Sequence, residues 1–537
     1  MSFKTNDFQQ ITLDDRFHST SSRTQKMVLD SWAKDFAEIV FPAINEERFS
    51  VLYSSNHFSR PNTPVNFTIG AFMLKEMLGL TDDELVNSIC CDIRFQYALH
   101  TTSCDEQPVS DRTFSRMRER IYNYEMESGV DLLNDEMMHL ANVYAEFLNL
   151  HSNIKRMDSL MIASSSKRMS RLEIIYTVVS NAIQLMHRLD ADALIPSKMV
   201  YYLSPEDHNN VIYYCKNEDA SSRLDQVVED AVLLKNIFSS DEWHEFSEYQ
   251  LLIRVLKEQT SQDEEGATIA KPKKDISPSS LQNPSDPDAT YRSKAGKDNK
   301  GYVGNIIETV GEDGVSLITD IKYETNNHSD SAFCKEYIES RGEKAEAETM
   351  IADGAYGGTE NKKLAQGKNV NLITTALTGR QPDRIMADFI FAPDGKAVIS
   401  CPAGHFPEKT TYYPKTGMCR IILKKDCCSS CPNREKCKAK LQHKTCAVSI
   451  SKKMVTRAQY LNQLSTEEYL VFTKKRNAVE GIPSVLRRKY HVDNIPVRGL
   501  IRSKMFFTLK VGAYNIRKLL KHFPKVRATS AQKLEIA

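Results

Sequence analysis

The 537 residues include only 2 tryptophans, and the net charge at pH 7 is only +1, from 71 Lys and Arg against 70 Asp and Glu. No apolar run approaches the roughly 18 to 20 residues that a membrane-spanning helix needs, and the start, MSFKTNDFQQ, lacks the apolar core of a signal peptide. The expectation is a soluble, cytoplasmic chain with no membrane partner. No G-x-x-x-x-G-K-[ST] loop, HExxH or nucleophile elbow occurs, so ATP use and those hydrolytic chemistries are not indicated. With 41% apolar residues and 12 cysteines, collagen-like, disordered and disulfide-dense classes are excluded as well. In a reducing compartment the cysteines are thiols or metal ligands rather than a disulfide framework.

The near-zero net charge hides an uneven distribution. From Lys216 to Gly266 there are 13 acidic against 5 basic residues, and from Lys452 to Ala537 there are 19 basic against 5 acidic. A basic C-terminal region suits a polyanion; the plainer alternative is two solvated surfaces of opposite sign.

The first 150 residues or so are helical in pattern. Thr68 is placed to cap one helix that Gly79 would end, and Thr81 with Glu84 forms a capping box for the next. Ser110 then opens SDRTFSRMRERIYNY, which carries Arg112 and Arg116. A helix, a loop and an arginine-bearing helix resemble helix-turn-helix DNA readers, although most such trios are only bundle pieces with solvated arginines. Past residue 151 the period becomes strand-like around Asp158, then helical and acidic over about 171–289, ending in a Ser- and Pro-rich linker. Tyr302–Thr309 and Val315–Tyr323 predict a hairpin around GEDG. EAETMIADGAYGG, a helix from Thr359 to Gly367, and Val370–Thr375 predict a βαβ unit. Seven of the 12 cysteines fall between Ser400 and Cys446.

Three carboxylates stand out by position. Asp158 is on a strand, Asp353 is where a strand gives way to a turn, and Glu480 is on a helix within KKRNAVEG. Mg²⁺ takes hard oxygen ligands, so three converging carboxylates would suffice to hold it for phosphoryl transfer; the alternative is three solvated acids. Cys428 and Cys431 form a C-x-x-C pair, with Cys437 downstream and Cys401 in CPAGH upstream. Four thiolates make a closed tetrahedral Zn²⁺ site, a structural one. Buried free thiols and redox chemistry are the alternatives, and Cys419, Cys427, Cys446, His405 and His443 leave the ligand set open.

These segments resemble the bacterial insertion-sequence transposases of the DDE type. MDSLMIAS resembles their first-aspartate strand, SDPDATYRSKAGKDNKGYVGNIIE the connecting hairpin, and IADGAYGG the second-aspartate strand. KKRNAVEGIPSVLRRKY resembles the glutamate helix and GAYNIRKLLK the helix after it. HFSRPNTPVNFTIGAFMLKEMLGLTDDELV through SDRTFSRMRERI resembles the InsH-type N-terminal domain.

The resemblance implies an α/β fold: a ribonuclease H-like mixed sheet with flanking helices, preceded by an all-helical DNA-binding domain over 1–150. The catalytic domain would run over 151–395, with the helical acidic insertion at about 171–289. A Cys-rich β insertion would follow at 396–446, and the glutamate helix with the basic C-terminal region would occupy 447–537. It also implies that Asp158, Asp353 and Glu480 bind two Mg²⁺ ions, and that Arg476 and Arg487 contact DNA phosphates. Arg487 stands where lysine is common, Thr473 where tyrosine is usual, and Pro483 should kink or end the helix. Tyr356 is a candidate for stacking on DNA or, equally, for packing over its turn. The expected function is binding of terminal inverted repeats and Mg²⁺-dependent strand cleavage and transfer into target DNA by a DNA-bound homodimer at the bacterial nucleoid. A non-cutting DNA-binding derivative and a metal-dependent nuclease are the alternatives.

Overall fold

The computed structural model describes residues 1–6, 15–56, 58–110, 112–214, 219–294, 296–342, 346–377, 379–479 and 481–536, with the side chains of 468, 478, 479 and 525–536 left aside. Four longer helices come first: α1 (Val65–Leu78), α2 (Asp82–Cys91), α3 (Thr113–Ser128) and α4 (Leu132–Phe147). The Thr81/Glu84 capping box opens α2, and Gly79, at φ 73°, ends α1. The start of α1 differs from expectation. It begins at Val65, because the distant Glu46 carboxylate accepts from the Val65 and Asn66 amides at 3.0 and 3.2 Å. Those amides are orphan donors of a first turn, and a side chain from elsewhere in the fold satisfies them. Thr68 is interior, its hydroxyl donating to the Pro64 carbonyl at 3.1 Å.

Strand β1 (Ile154–Ala163) leads into α5 (Arg171–Arg188), α6 (Ala220–Ile237) and α7 (Ser247–Gln259), which close a core of their own around Tyr176, Tyr202, Val228 and Leu252. The chain returns through β2 (Thr290–Lys294), β3 (Lys297–Val310), β4 (Ser316–Thr325), α8 (Asp330–Ser340), β5 (Glu348–Ala352), α9 (Thr359–Gly367) and β6 (Val370–Thr374). The expected hairpin and βαβ unit are therefore present. Strands lie in the order β4-β3-β1-β5-β6, with β2 paired to the first part of β3. β3 runs antiparallel to both β1 and β4, whereas β1, β5 and β6 are mutually parallel, so this is a mixed α/β sheet.

Next come four strands, β7 (Lys409–Tyr413), β8 (Met418–Lys424), β9 (Lys440–Leu441) and β10 (Thr445–Ser451). They form a second sheet in the order β7-β8-β10-β9. Helix α10 (Lys452–Gln463) contributes Val455 and Ala458 to its core. The chain ends in α11 (Glu467–Val479), α12 (Gly481–Tyr490) and α13 (Leu500–Ile536). Pro483 lies within α12, three residues past Glu480.

Alternation along β1 divides its side chains between the two faces. Met157 and Met161 join Val303, Phe333, Met350 and Tyr356 beneath α8 and α9. Leu160 and Ile162 face the other way, into a core shared by α13 and the N-terminal helices, with Phe72, Met137, Ile306 and Phe507. Gly304 of β3 permits this packing, because a Cβ there would lie 2.6 Å from the Phe507 ring. Asn515 of α13 exchanges hydrogen bonds with the Ile318 amide and carbonyl of β4 at 2.9 and 2.7 Å. Lys510 pairs with Glu76 of α1 at 2.6 Å. The segment that reads as a linker is in part tightly held. Asp286 is fully buried and accepts from the Tyr302 hydroxyl at 2.5 Å and the Gly499 amide at 2.9 Å. Among the described residues no helix is long and apolar enough to cross a membrane.

Candidate active site

Parallel pairing of β1 with β5 sets Arg156 opposite Ile351. Two residues further along each strand come Asp158 and Asp353, so the register carries two carboxylates to adjacent positions at one edge of the sheet. Asp353 ends its strand as the cap of the turn Gly354–Tyr356, its Oδ1 accepting from the Gly354 amide at 2.6 Å. Asp158 accepts from the Ser159 amide at 2.9 Å, and its side chain is only 16% exposed. Burial pushes the Asp158 carboxyl above the usual carboxylate range. The Arg476 guanidinium, the Ser159 amide and Lys294 pull it down, and the Asp353 charge pushes it up again. That mutual repulsion places the two acids within electrostatic reach of each other.

This shift has a consequence for stability. A carboxyl raised in the folded state ionises less readily there than in the unfolded chain, so stability is lost as pH rises from the ordinary value through the raised one. Asp158→Asn removes that charge and should raise the melting temperature at pH 7 in a metal-free buffer, as read by calorimetry. A lower melting temperature would contradict the assignment.

Helix α11 packs across the ends of β1 and β5. It carries Arg476, buried, with Nη2 3.9 Å from Asp158 Oδ1. Asp158, Asp353 and Arg476 are thus brought together. Glu480 lies outside the described residues, immediately after α11. Arg487, on α12, donates to the Met161 carbonyl of β1 at 3.0 Å and pairs with Asp493 at 3.3 Å while staying partly exposed.

The arginines of α3 are sorted by its register. Arg112 occupies the cap position and Arg116 the first turn, both exposed. Arg118 instead pairs with Asp82 and lies over the Phe72 ring at 5.3 Å. Ser110 is not the cap; its amide donates to Thr113 Oγ1 at 2.8 Å. Tyr356 is a correction. It is 1% exposed, and its hydroxyl donates to Asn305 Oδ1 at 2.9 Å, so it belongs to the core under α8 rather than to a stacking surface.

Two features escape the sequence reading. Lys294 on β2 reaches Asp158 electrostatically, and with Arg292 it lies within 3.4 and 3.5 Å of the buried Asp330. The alternation in YRSK places both cations on one face of the hairpin, a signal available from period two alone. Arg156, two residues before Asp158 on the same face, is nearly buried. Its Nε donates to Glu308 Oε2 at 3.0 Å and its Nη1 to the Lys475 carbonyl of α11 at 2.6 Å.

The cysteines cluster in the second sheet. Cys401, Cys428, Cys431 and Cys437 line a cavity of about 20 Å³, together with Cys427 and His405. The Cys431 amide donates to the Cys428 carbonyl at 3.4 Å and the Gly404 amide to the Cys401 carbonyl at 2.8 Å, giving one tight turn at each end of the cluster. Burial pushes the Cys428 thiol up to about 12 and Cys437 to about 11, and neighbouring thiols, Cys446 among them, add to both. Cys419 stands apart, donating to the Lys396 carbonyl at 3.3 Å.

Among the described residues no group of three or more His, Cys, Asp or Glu side chains is arranged to hold a metal ion. At the acidic edge the described residues supply two carboxylates, and their oxygens suit a hard cation. The thiols are crowded but do not close into a three-donor set.

Residues 400–520 match the family model described as a transposase DDE domain, and residues 28–120 match a second model described as a transposase domain. No curated protein and no solved structure matches the chain.

Proposed function

We propose that the chain is a DDE-type transposase of an insertion sequence, which the two family matches support, and that it binds the inverted-repeat ends of such an element, cuts there and joins the freed ends to target DNA. The observation that carries the chemistry is the pairing of β1 with β5, which sets Asp158 beside Asp353 under Arg476. The strand order and direction support a ribonuclease H-like reading of the sheet, in which these acids and Glu480 would hold two Mg²⁺ ions. When bound, the metal supplies charge neutralisation at the attacking and leaving oxygens.

The protein's own groups do the rest. Asp158, kept partly dry, awaits a cation to repay the cost of its charge. Arg476 holds a guanidinium beside the acids, where a phosphate oxygen would sit. Arg487 and the exposed Arg112 and Arg116 are further DNA contacts in this reading, with α3 addressing the inverted repeat. Two ends must be held at once, so the active form is a homodimer on DNA, at the nucleoid. The test is cleavage of a duplex bearing the element's terminal repeat, with and without Mg²⁺, scored for nicked and for strand-transfer products. Nicked product without transfer would make the protein a nuclease, and binding without cleavage would make it a DNA-holding derivative.

A structural Zn²⁺ held by Cys401, Cys428, Cys431 and Cys437 belongs to the same proposal. The two tight turns and the small cavity between these thiols support it. A bound metal would stabilise the thiolate form against the upward shifts at Cys428 and Cys437. About one zinc per chain is expected by elemental analysis, and a strong chelator should lower the melting temperature of the purified protein. Metal-free protein of unchanged stability would show the thiols to be a buried apolar cluster.

A further inference from the structure

A cavity of about 980 Å³ lies on the α13 face of the sheet and is unrelated to the cysteines. Its walls are α11, α12, α13 and the turn between β3 and β4, and its floor includes Arg156 and Glu308. Lys474, Lys475, Lys489, Arg517, Lys518 and Lys521 all line it. Among the described residues the acids there are Glu308, locked to Arg156, and the exposed Glu312 at the rim. Among the described residues, none of those six cations forms an ion pair with a carboxylate. Arg517 is spent on the Met77 carbonyl, and Lys518 donates to Ser316 Oγ at 3.2 Å. Burial lowers the proton affinity of Lys489 and Lys518; Arg517 lowers that of Lys489 further, whereas at Lys518 the Glu308 charge opposes the lowering and Arg156 with Lys521 add to it. Like charges held this close, with an apolar base of Ile482, Val485 and Leu520, are a standing electrostatic cost that an anion would relieve.

Position selects the anion. Arg156 precedes Asp158 by two residues on the same face of β1, about 7 Å at ~3.3 Å per residue. That is the span of about two nucleotides at ~3.4 Å of rise each. Lys474 and Lys475 likewise immediately precede Arg476. A strand lying at Asp158 and Arg476 would therefore enter this groove with its next phosphates.

We propose that the groove between α11, α12 and α13 is the track of the duplex DNA backbone that flanks the scissile phosphate, with Lys474, Lys489 and Lys521 as its exposed phosphate contacts. This rests on the transposase reading above. The experiment measures binding of a labelled terminal-repeat duplex to the full chain across a series of salt concentrations. It compares wild type with the triple variant Lys474→Gln, Lys489→Gln, Lys521→Gln. Each lost phosphate contact should flatten the slope of log K against log salt by about 0.9, so about 3 in all, with at least about tenfold weaker binding at physiological salt. The single variant Lys489→Gln should flatten it by about 1, which keeps the test decisive if the triple variant folds poorly. A second triple, Lys415→Gln, Lys436→Gln, Lys444→Gln, removes exposed charge from the Cys-rich sheet and should leave the slope unchanged. A groove variant with the wild-type slope, or an equal flattening in the second triple, overturns the groove while wild-type cleavage keeps the transposase reading intact. Wild-type protein that binds no duplex overturns both.

Discussion

Asp353→Asn is expected to lower strand cleavage by on the order of 10³-fold while leaving binding of a terminal-repeat duplex within about twofold. The substitution keeps the shape of the side chain, and the amide oxygen can still cap the turn at Gly354, where Oδ1 now accepts at 2.6 Å. What disappears is one of the two negative charges that the β1–β5 register sets side by side. Charge stabilisation by a bound metal contributes several kcal/mol to such a transition state, and each 1.36 kcal/mol is a decade in rate. Gel assays of nicking and of binding, run on the same preparation, separate the two effects. Cleavage within tenfold of wild type would remove Asp353 from the chemistry. A parallel collapse of binding and melting temperature would make it a structural residue of the turn.

The second large effect is expected at Glu308. This carboxylate is 1% exposed and grips Arg156, itself 6% exposed. Removing one member of a buried pair strands the other, at a cost of about 3–5 kcal/mol. Glu308→Ala should therefore lower unfolding stability by that amount in a urea titration. The double variant Arg156→Met, Glu308→Leu should recover most of it, since an apolar pair of similar size is tolerated in such places. The double variant would still lose activity. Arg156 also donates to the Lys475 carbonyl, and that bond ties α11, with Arg476, to the strand bearing Asp158. Stability recovered together with full cleavage would show that the pair holds the sheet and nothing more.

Local chemistry was legible wherever the deciding groups are close in sequence. The Thr81/Glu84 box, Gly79, the hairpin around GEDG and the strand, helix and strand from Glu348 to Thr374 need only their own neighbours. So did the placement of Asp158 on a strand and Asp353 at a strand end. Distant partners were not legible. Glu46 caps a helix 19 residues away and moves its start from Thr68 to Val65. Asp286 looks like linker sequence but is buried because Tyr302 and the Gly499 amide reach it from elsewhere. Tyr356 had two equal prospects, and burial against Asn305 chose packing. Arg156 carried no motif, since an arginine beside a strand aspartate reads as a solvated charge until Glu308 is seen across the sheet.

The continuous core joining α1 and α4 to α13 and β4 has a mechanical consequence. A reader of sequence on a flexible tether can reach its site at many separations from the cutting centre. If α3 reads the repeat and the acids cut, as proposed, helices welded to the sheet cannot, because the distance from α3 to the acids is built in as it is in a caliper. An element end lengthened by about five base pairs, half a helical turn, would present its recognition face and its scissile bond on opposite sides of the duplex.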